Sequence, residues 1–176
     1  MIYQNSSILI PEKHSKLPLI RDEDIKDLEN INKMHGIDFV MIPYIVSKDD
    51  VKEVKKRLTF LDRAVIISKL DDKRSFEEFW EITNESGGIF IHRENLSHSL
   101  NPEKLYSLTK FLTEQCNIMS KPFIVEISGI NGQNPISNRR EICDIETSIL
   151  EGVDVILIDH ETSVGKNPVE VVQIVS

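Results

Sequence analysis

The sequence predicts an α/β fold in which parallel strands alternate with helices. Short runs of β-branched and aliphatic residues, such as residues 153–158, are typical of strands buried on both faces of a parallel sheet, and helical segments separate these runs. A glycine followed two residues later by Asp and an apolar run occurs both at 36–42 and at 152–158, which indicates a repeated unit. The pattern leaves two architectures open, an open doubly wound sheet or part of a (β/α)8 barrel.

The first half of the chain contains clear signals for an arm and two helices. Residues 1–20 are expected to be extended, since Pro11 and Pro18 oppose a helix across this segment, and residues 1–16 are expected to be an incoming arm. The acidic residues 22–24 favour a helix start, and Gly36 is a typical helix stop. Ser47 with Asp50 three positions later predicts the capped start of a second helix.

The second half continues the alternation. Ser75 and Glu78 predict a capping box that opens a third helix, and Asn101 followed by Pro102 predicts the start of the longest helix. In the third helix, the side chains of Phe76, Phe79 and Trp80 are expected to face the core. A loop is expected over 128–138, and Pro168 suits a last helix. The predicted strands cover residues 37–42, 64–68, 89–91, 122–127 and 153–158.

Composition places the chain among ordinary globular proteins. Its 176 residues are 40% hydrophobic and 28% charged, which is enough for one domain with a core. The formal net charge of −8 argues against a general affinity for nucleic acid or anionic membrane. The absence of a long apolar run or a signal peptide pattern leads us to expect no membrane partner and a cytoplasmic location. Cys116 and Cys143 occupy apolar positions of predicted helices and are expected to be buried thiols.

The carboxyl ends of the predicted strands carry the residues that could do chemistry, because parallel strands place these ends at one edge of the sheet. Lys69 could hold a phosphate or an oxyanion while the neighbouring acids Asp71 and Asp72 hold Mg²⁺, although an ordinary lysine that reaches to water is the alternative. His92 and His160 could form a metal pair, but histidines that face solvent are much commoner. The Gly-Lys pair at 165–166 lacks the other residues of a P-loop.

Several ordered segments resemble the second half of the catalytic barrel of pyruvate kinase. They include Ile-Ile-Ser-Lys-Leu-Asp-Asp at 66–72, Gly-Ile-Phe-Ile-His-Arg-Glu-Asn-Leu at 88–96, and Gly-Val-Asp-Val-Ile-Leu-Ile-Asp-His-Glu-Thr-Ser-Val-Gly-Lys-Asn-Pro-Val-Glu at 152–170. The resemblance implies that residues 17–176 form a partial (β/α)8 TIM-type barrel of about five βα units. It also implies that residues 1–16 correspond to the strand that returns from the lid domain of that family.

The resemblance also implies a chemistry. The family transfers a phosphoryl group from phosphoenolpyruvate to ADP with Mg²⁺ and K⁺, and Lys69 matches the lysine that stabilises the moving phosphoryl. Asp71 and Asn95 fall on the two metal-binding acids of the family. The positions that fall on substrate-binding residues are Arg93, Glu94, Asn95 and Ile127.

The chain departs from the family at these same positions. Asp71 is one methylene shorter than the family's Glu, Asn95 lacks the charge of Asp, Glu94 replaces a glycine, and Ile127 replaces a threonine hydroxyl. Positioning errors of about 1 Å can cost ~10²-fold in rate. We therefore expect a weakened Mg²⁺ site.

Two further positions and several missing segments weaken the match. Val46 replaces an arginine, and His160 replaces the glycine before Glu161 and Thr162. Nothing corresponds to the first three barrel strands, which carry the K⁺ ligands, to the body of the lid domain or to the regulatory domain. The K⁺ site is therefore expected to be missing.

These departures predict a barrel fragment that is catalytically impaired on its own. Two alternatives stay open: an interaction module that binds a complete pyruvate kinase subunit or another copy of itself, and an enzyme that obtains its missing strands from another chain. A partial barrel leaves two open sheet edges and an uncovered apolar face, which should recruit other chains. The residues predicted to line that face are Val40, Ile66, Ile91, Ile124 and Ile156.

Overall fold

A computed structural model of the chain describes residues 18–97, 100–127 and 139–176. The predicted arm at 1–16 and the predicted loop at 128–138 lie outside the described residues. At four positions the backbone is described and the side chain is not: Glu94, Pro102, Arg140 and Glu161.

Five parallel strands form one sheet that curls into a half-barrel. The strands are β1 (Phe39–Ile42), β2 (Val65–Leu70), β3 (Gly88–His92), β4 (Phe123–Ile127) and β5 (Val155–Ile158). They lie side by side in chain order. A doubly wound sheet reverses its strand order at a switch point, whereas a barrel adds each strand beside the previous one. The observed order therefore confirms the partial (β/α)8 barrel and excludes the alternative.

Helices connect the strands. They are α1 (Asp22–His35), α2 (Lys48–Arg57), α3 (Phe79–Glu85), α4 (Arg93–Ser97), α5 (Pro102–Ile118), α6 (Arg139–Leu150), α7 (His160–Ser163) and α8 (Pro168–Val175). Within the described ranges, no helix has both the length and the apolar character needed to cross a bilayer.

The predicted helix ends are largely confirmed. Gly36 and Gly152 adopt positive φ angles of 74° and 91°, as expected for glycines that end helices. At the start of α2, the amide of Asp50 donates to Ser47 Oγ at 3.2 Å and the amide of Ser47 donates to Asp50 Oδ2 at 2.8 Å. These reciprocal hydrogen bonds form the predicted capping box.

The predicted start of the third helix is wrong. A 3-10 helix, Lys73–Phe76, is capped by Asp72, whose Oδ1 accepts from the amide of Arg74 at 2.9 Å, and α3 begins only afterwards. Ser75 is buried and donates instead to the carbonyl of Ile45 at 2.6 Å. The buried side of α3 carries Phe79, Ile82 and Thr83. The inward position predicted for Trp80 is therefore wrong, since its side chain is 47% exposed and packs edge-on against a ring of α5.

Most of the strand residues predicted to line the uncovered face of the sheet lie on the opposite face, which packs against the helices. Side chains alternate between faces along a strand, so a shift of one residue exchanges the faces. Four of the five residues predicted to line the uncovered face pack instead in the core cluster that includes the helices: Val40, Ile66, Ile91 and Ile156. Ile124 alone of that set lies on the opposite, concave face, where it packs with Ile67 and Phe90.

On the concave face, the side chains of the inner strands are buried, whereas those of the two edge strands are exposed. Ile67 and Phe90, on the inner strands, are buried. On the edge strand β1, Phe39 and Met41 are 64% and 40% exposed, and on the other edge Val155 is 44% exposed. The register places these residues on the same face, since Met41 pairs with Ile67 and Ile124 pairs with Val155. The described part of the half-barrel therefore shows apolar surface at both edges.

The two cysteines occupy different environments. Cys116 is buried, as predicted, and burial raises the pKa of its thiol to about 12. Cys143 lies on the exposed side of α6, so its predicted burial is wrong. Apolar residues occur on more than one side of α6, since Ile145 is buried and Ile149 is exposed, so the sequence pattern did not identify the buried side.

A thiol-specific reagent should therefore modify one cysteine in the folded protein. The thiolate is the reactive form, and a buried thiol with a raised pKa forms almost none at neutral pH. We expect one labelled thiol in native buffer, two in urea, and none in native Cys143→Ser, as measured by mass spectrometry. Fast labelling of native Cys116 would contradict the buried position.

Candidate functional site

The carboxyl ends of β2 and β3 bring together three of the residues singled out from the sequence. Lys69 lies on β2, Asp71 follows that strand directly, and Asn95 lies on α4, which begins immediately after β3. Asn95 Nδ2 donates to Asp71 Oδ1 at 2.9 Å, and Lys69 Nζ lies 3.7 Å from the same oxygen. The sequence did not predict α4, because the residues after β3 carried no clear capping signal.

Asp71 is the most buried charged group of this cluster. Its side chain is 2% exposed. Besides Asn95, it accepts a long hydrogen bond at Oδ2 from the amide of Tyr44 at 3.4 Å. Tyr44 has a φ of 60°, a left-handed backbone that is uncommon for a tyrosine and that accompanies this contact after β1. Donors from three parts of the chain therefore converge on one buried carboxylate.

Lys69 is held less tightly than Asp71. Its distance of 3.7 Å from the carboxylate is an ion-pair contact and is longer than a hydrogen bond. The ammonium also lies 5.1 Å from the centre of the Phe90 ring, within the range of a cation–π interaction. With a side chain that is 22% exposed, Lys69 is the cation of the cluster with access to solvent.

A second charged pair lies on the concave face, and the sequence analysis missed half of it. His92 Nε2 is 3.5 Å from Glu126 Oε2, and both side chains are mostly buried. The two residues are register partners on β3 and β4. The available signal was the acid inside the apolar run Phe-Ile-Val-Glu-Ile, which is unusual for a strand buried on both faces.

Arg93 is engaged away from Lys69. Its guanidinium donates from two nitrogens to the carboxylate of Asp144 on α6, one of these hydrogen bonds being 2.8 Å from Nη1 to Oδ1. Such a two-point contact is the strongest geometry for an arginine and a carboxylate. His92, at the end of β3, contacts Glu126 on β4, and Asn95 on α4 donates to Asp71 after β2. Together with the Arg93–Asp144 contact, these interactions tie the end of β3 and α4 to carboxylates on three separate parts of the chain.

The remaining predicted positions do not join the cluster through any described contact. Ile127 is buried among the helix-side core residues, on the face of β4 opposite Ile124. The amide of Val46 donates to Asp50 in the cap of α2. The ring of His160 contacts Ser163 within α7, and the side chain of Glu94 is not described.

The described arrangement does not fit Mg²⁺. This ion takes oxygen ligands in a near-octahedral shell, and two carboxylates were expected from the family pattern. Here Asp71 is the one carboxylate of the pair, and Asn95 turns an N–H toward it. Over residues 18–97, 100–127 and 139–176, no group of three or more acidic, histidine or cysteine side chains could hold a metal ion. The assignment of Asp71 and Asn95 as metal ligands stays a prediction.

Comparison with known proteins gives the family. The family model described as pyruvate kinase, barrel domain, matches residues 1–172. The chain belongs to the pyruvate kinase family. A crystal structure of pyruvate kinase from Cryptosporidium parvum is similar with a TM-score of 0.84 and 26% identity, over 94% of this chain and 36% of that one.

Curated pyruvate kinases show the same partial coverage. The enzyme of Eimeria tenella is 29% identical over 100% of this chain and 34% of its own length. Cytosolic pyruvate kinase 2 of Oryza sativa subsp. indica is 31% identical over 92% of this chain and 32% of its own length. The chain therefore spans about a third of the length of these pyruvate kinases.

The Arg93–Asp144 contact should stabilise the fold. Arg93→Ala and Asp144→Ala should show a coupling free energy of unfolding of about 1 kcal/mol in a double-mutant cycle, a modest value because Asp144 is partly solvated. The exposed pair Arg21–Asp24 is the control and should show coupling near zero. Denaturant unfolding measures both cycles. Equal coupling in the two pairs would contradict a structural role for Arg93.

Proposed function

We propose that this chain is a pyruvate-kinase-type half-barrel that does not transfer phosphoryl groups by itself. The observation that carries the proposal is the pairing of the site's own side chains. Asp71 is occupied by Asn95 and Lys69, Glu126 faces His92, and Asp144 binds Arg93. Phosphoryl transfer depends almost wholly on positioning and on stabilising charge, so groups committed to each other contribute little to it.

The charge balance of the site supports the same conclusion. Two permanent cations, Lys69 and Arg93, stand against carboxylates at Asp71, Glu126 and Asp144. Each of the two cations lies against a carboxylate, Lys69 against Asp71 and Arg93 against Asp144, so neither is an unbalanced positive charge. An anionic substrate such as phosphoenolpyruvate would therefore meet no unpaired cation at these residues.

The purified chain should show no turnover of phosphoenolpyruvate and ADP in the presence of Mg²⁺ and K⁺. Lys69→Ala, purified in the same way, is the matched control, because it reports any contaminating host enzyme. A coupled assay for pyruvate should give the same background rate for both proteins. Turnover of the wild-type chain that is lost in Lys69→Ala would overturn the proposal.

A second candidate function is an interaction module, and the exposed apolar edges of the concave face favour it. Phe39 and Met41 on one edge and Val155 on the other are exposed on the face that a closed barrel buries. Exposed parallel edges beside apolar surface recruit further chains. The occupants would be another copy of this chain or a complete pyruvate kinase subunit. The name of the rice relative supports a cytoplasmic location for such a complex.

Sedimentation velocity tests this candidate. The wild-type chain should sediment as an oligomer at micromolar concentration or bind a hydrophobic dye, and Phe39→Glu should reduce either signal because it places a charge on the concave face. Met34→Glu is the control, since Met34 is also an exposed large apolar residue but lies on α1, away from the sheet. A sharply melting wild-type monomer that binds no dye would exclude the interaction module.

A further inference from the structure

The buried carboxylate of Asp71 requires compensation that the fold supplies without an ion. An ionised carboxylate taken out of water is costly unless charges or hydrogen bonds replace its hydration. Asn95 Nδ2 lies 2.9 Å from Oδ1, Lys69 Nζ lies 3.7 Å from the same oxygen, and the amide of Tyr44 lies 3.4 Å from Oδ2. Both oxygens of Asp71 are therefore engaged by donors of this chain.

The orientation of Asn95 follows from chemistry. An ionised carboxylate only accepts hydrogen bonds, so the amide must present its NH₂ group to Asp71 and turn its oxygen away. A divalent ion held between the two side chains would need an oxygen from each of them. With an N–H in that direction, the space between the side chains is already bridged by a hydrogen bond.

We infer that the Asn95 amide takes the place of a divalent cation beside Asp71, so that the end of β2 and α4 pack together without a metal ion. The inference rests on the contacts of Asp71 and holds whether or not the chain transfers phosphoryl groups. It also assigns a latent site. One substitution, Asn95→Asp, keeps the size of the side chain and converts the donor into a second carboxylate that faces the first.

The physical consequence of that substitution is a demand for positive charge. Two buried carboxylates at hydrogen-bond distance cannot both be ionised unless a cation lies beside them, and without one the pair retains a proton. Lys69 supplies one charge at 3.7 Å, which leaves the pair net negative. A hard divalent cation with oxygen preference, Mg²⁺ or Ca²⁺, is the ligand that satisfies such a pair.

Thermal unfolding with and without divalent ions tests the inference, and it needs neither phosphoenolpyruvate nor nucleotide. In EDTA at neutral pH, Asn95→Asp should melt about 5–10 °C below the wild type. Millimolar MgCl₂ or CaCl₂ should raise its melting temperature by several degrees, whereas the wild type should shift by less than about 1 °C at matched ionic strength. Titration calorimetry should then detect ion binding in the variant and none in the wild type.

Three controls separate a created site from a general effect of charge. Asn117→Asp makes the same substitution where the amide donates to the carbonyl of Gly152, and its melting temperature should not respond to Mg²⁺. Asn95→Leu should lose stability and also stay insensitive to the ion. The exchange Asp71→Asn with Asn95→Asp restores one donor and one carboxylate, so it should melt above Asn95→Asp in EDTA and show little ion response.

The outcomes decide the inference. A wild-type melting temperature that rises with Mg²⁺ as much as that of Asn95→Asp would show that the amide does not replace an ion. Absence of a response to either ion in a folded Asn95→Asp would show that the pair is no latent site. If Asn95→Asp folds only when purified with Mg²⁺ and unfolds on adding EDTA, while Asn95→Leu folds in both buffers, the inference stands.

Discussion

The chemistry of the half-barrel depends on how the buried charge of Asp71 is neutralised. The carboxylate stands at the end of β2, where a parallel sheet places its polar groups, yet its side chain is almost completely withdrawn from water. A charge in that position is tolerated only when donors surround it. Lys69, Asn95 and the backbone at Tyr44 are brought to it from β2, α4 and the segment after β1.

The short helix α4 is the element that these contacts organise. His92, which ends β3, faces Glu126, and Arg93 and Asn95 on α4 bind Asp144 and Asp71. Leu96, on the same helix, is fully buried. Three carboxylates, at the end of β2, on β4 and on α6, thus hold this segment in place. The same contacts engage the side chains of His92, Arg93 and Asn95.

The sequence determined the alternation of strands and helices and several of their ends. Gly36 and Gly152 end helices with positive φ angles, and the Ser47–Asp50 box starts α2, because these signals act within a few residues of chain. The ordered segments around Lys69 and after Gly152 also indicated the pyruvate kinase family correctly. The strand-end pattern singled out Lys69 and Asp71, because the ends of parallel strands meet at one edge of the sheet, and the family resemblance added Asn95.

Tertiary structure decided which face each strand residue occupies and which polar groups meet. Val40 and Ile66 pack against the helices and not on the concave face, because one residue of register exchanges the faces of a strand and an apolar run carries no alternation to fix it. Ser75 bonds the carbonyl of Ile45, so the expected capping box does not form. The partners of His92 and Arg93, at Glu126 and Asp144, lie 34 and 51 residues away along the chain, and only folding brings them together.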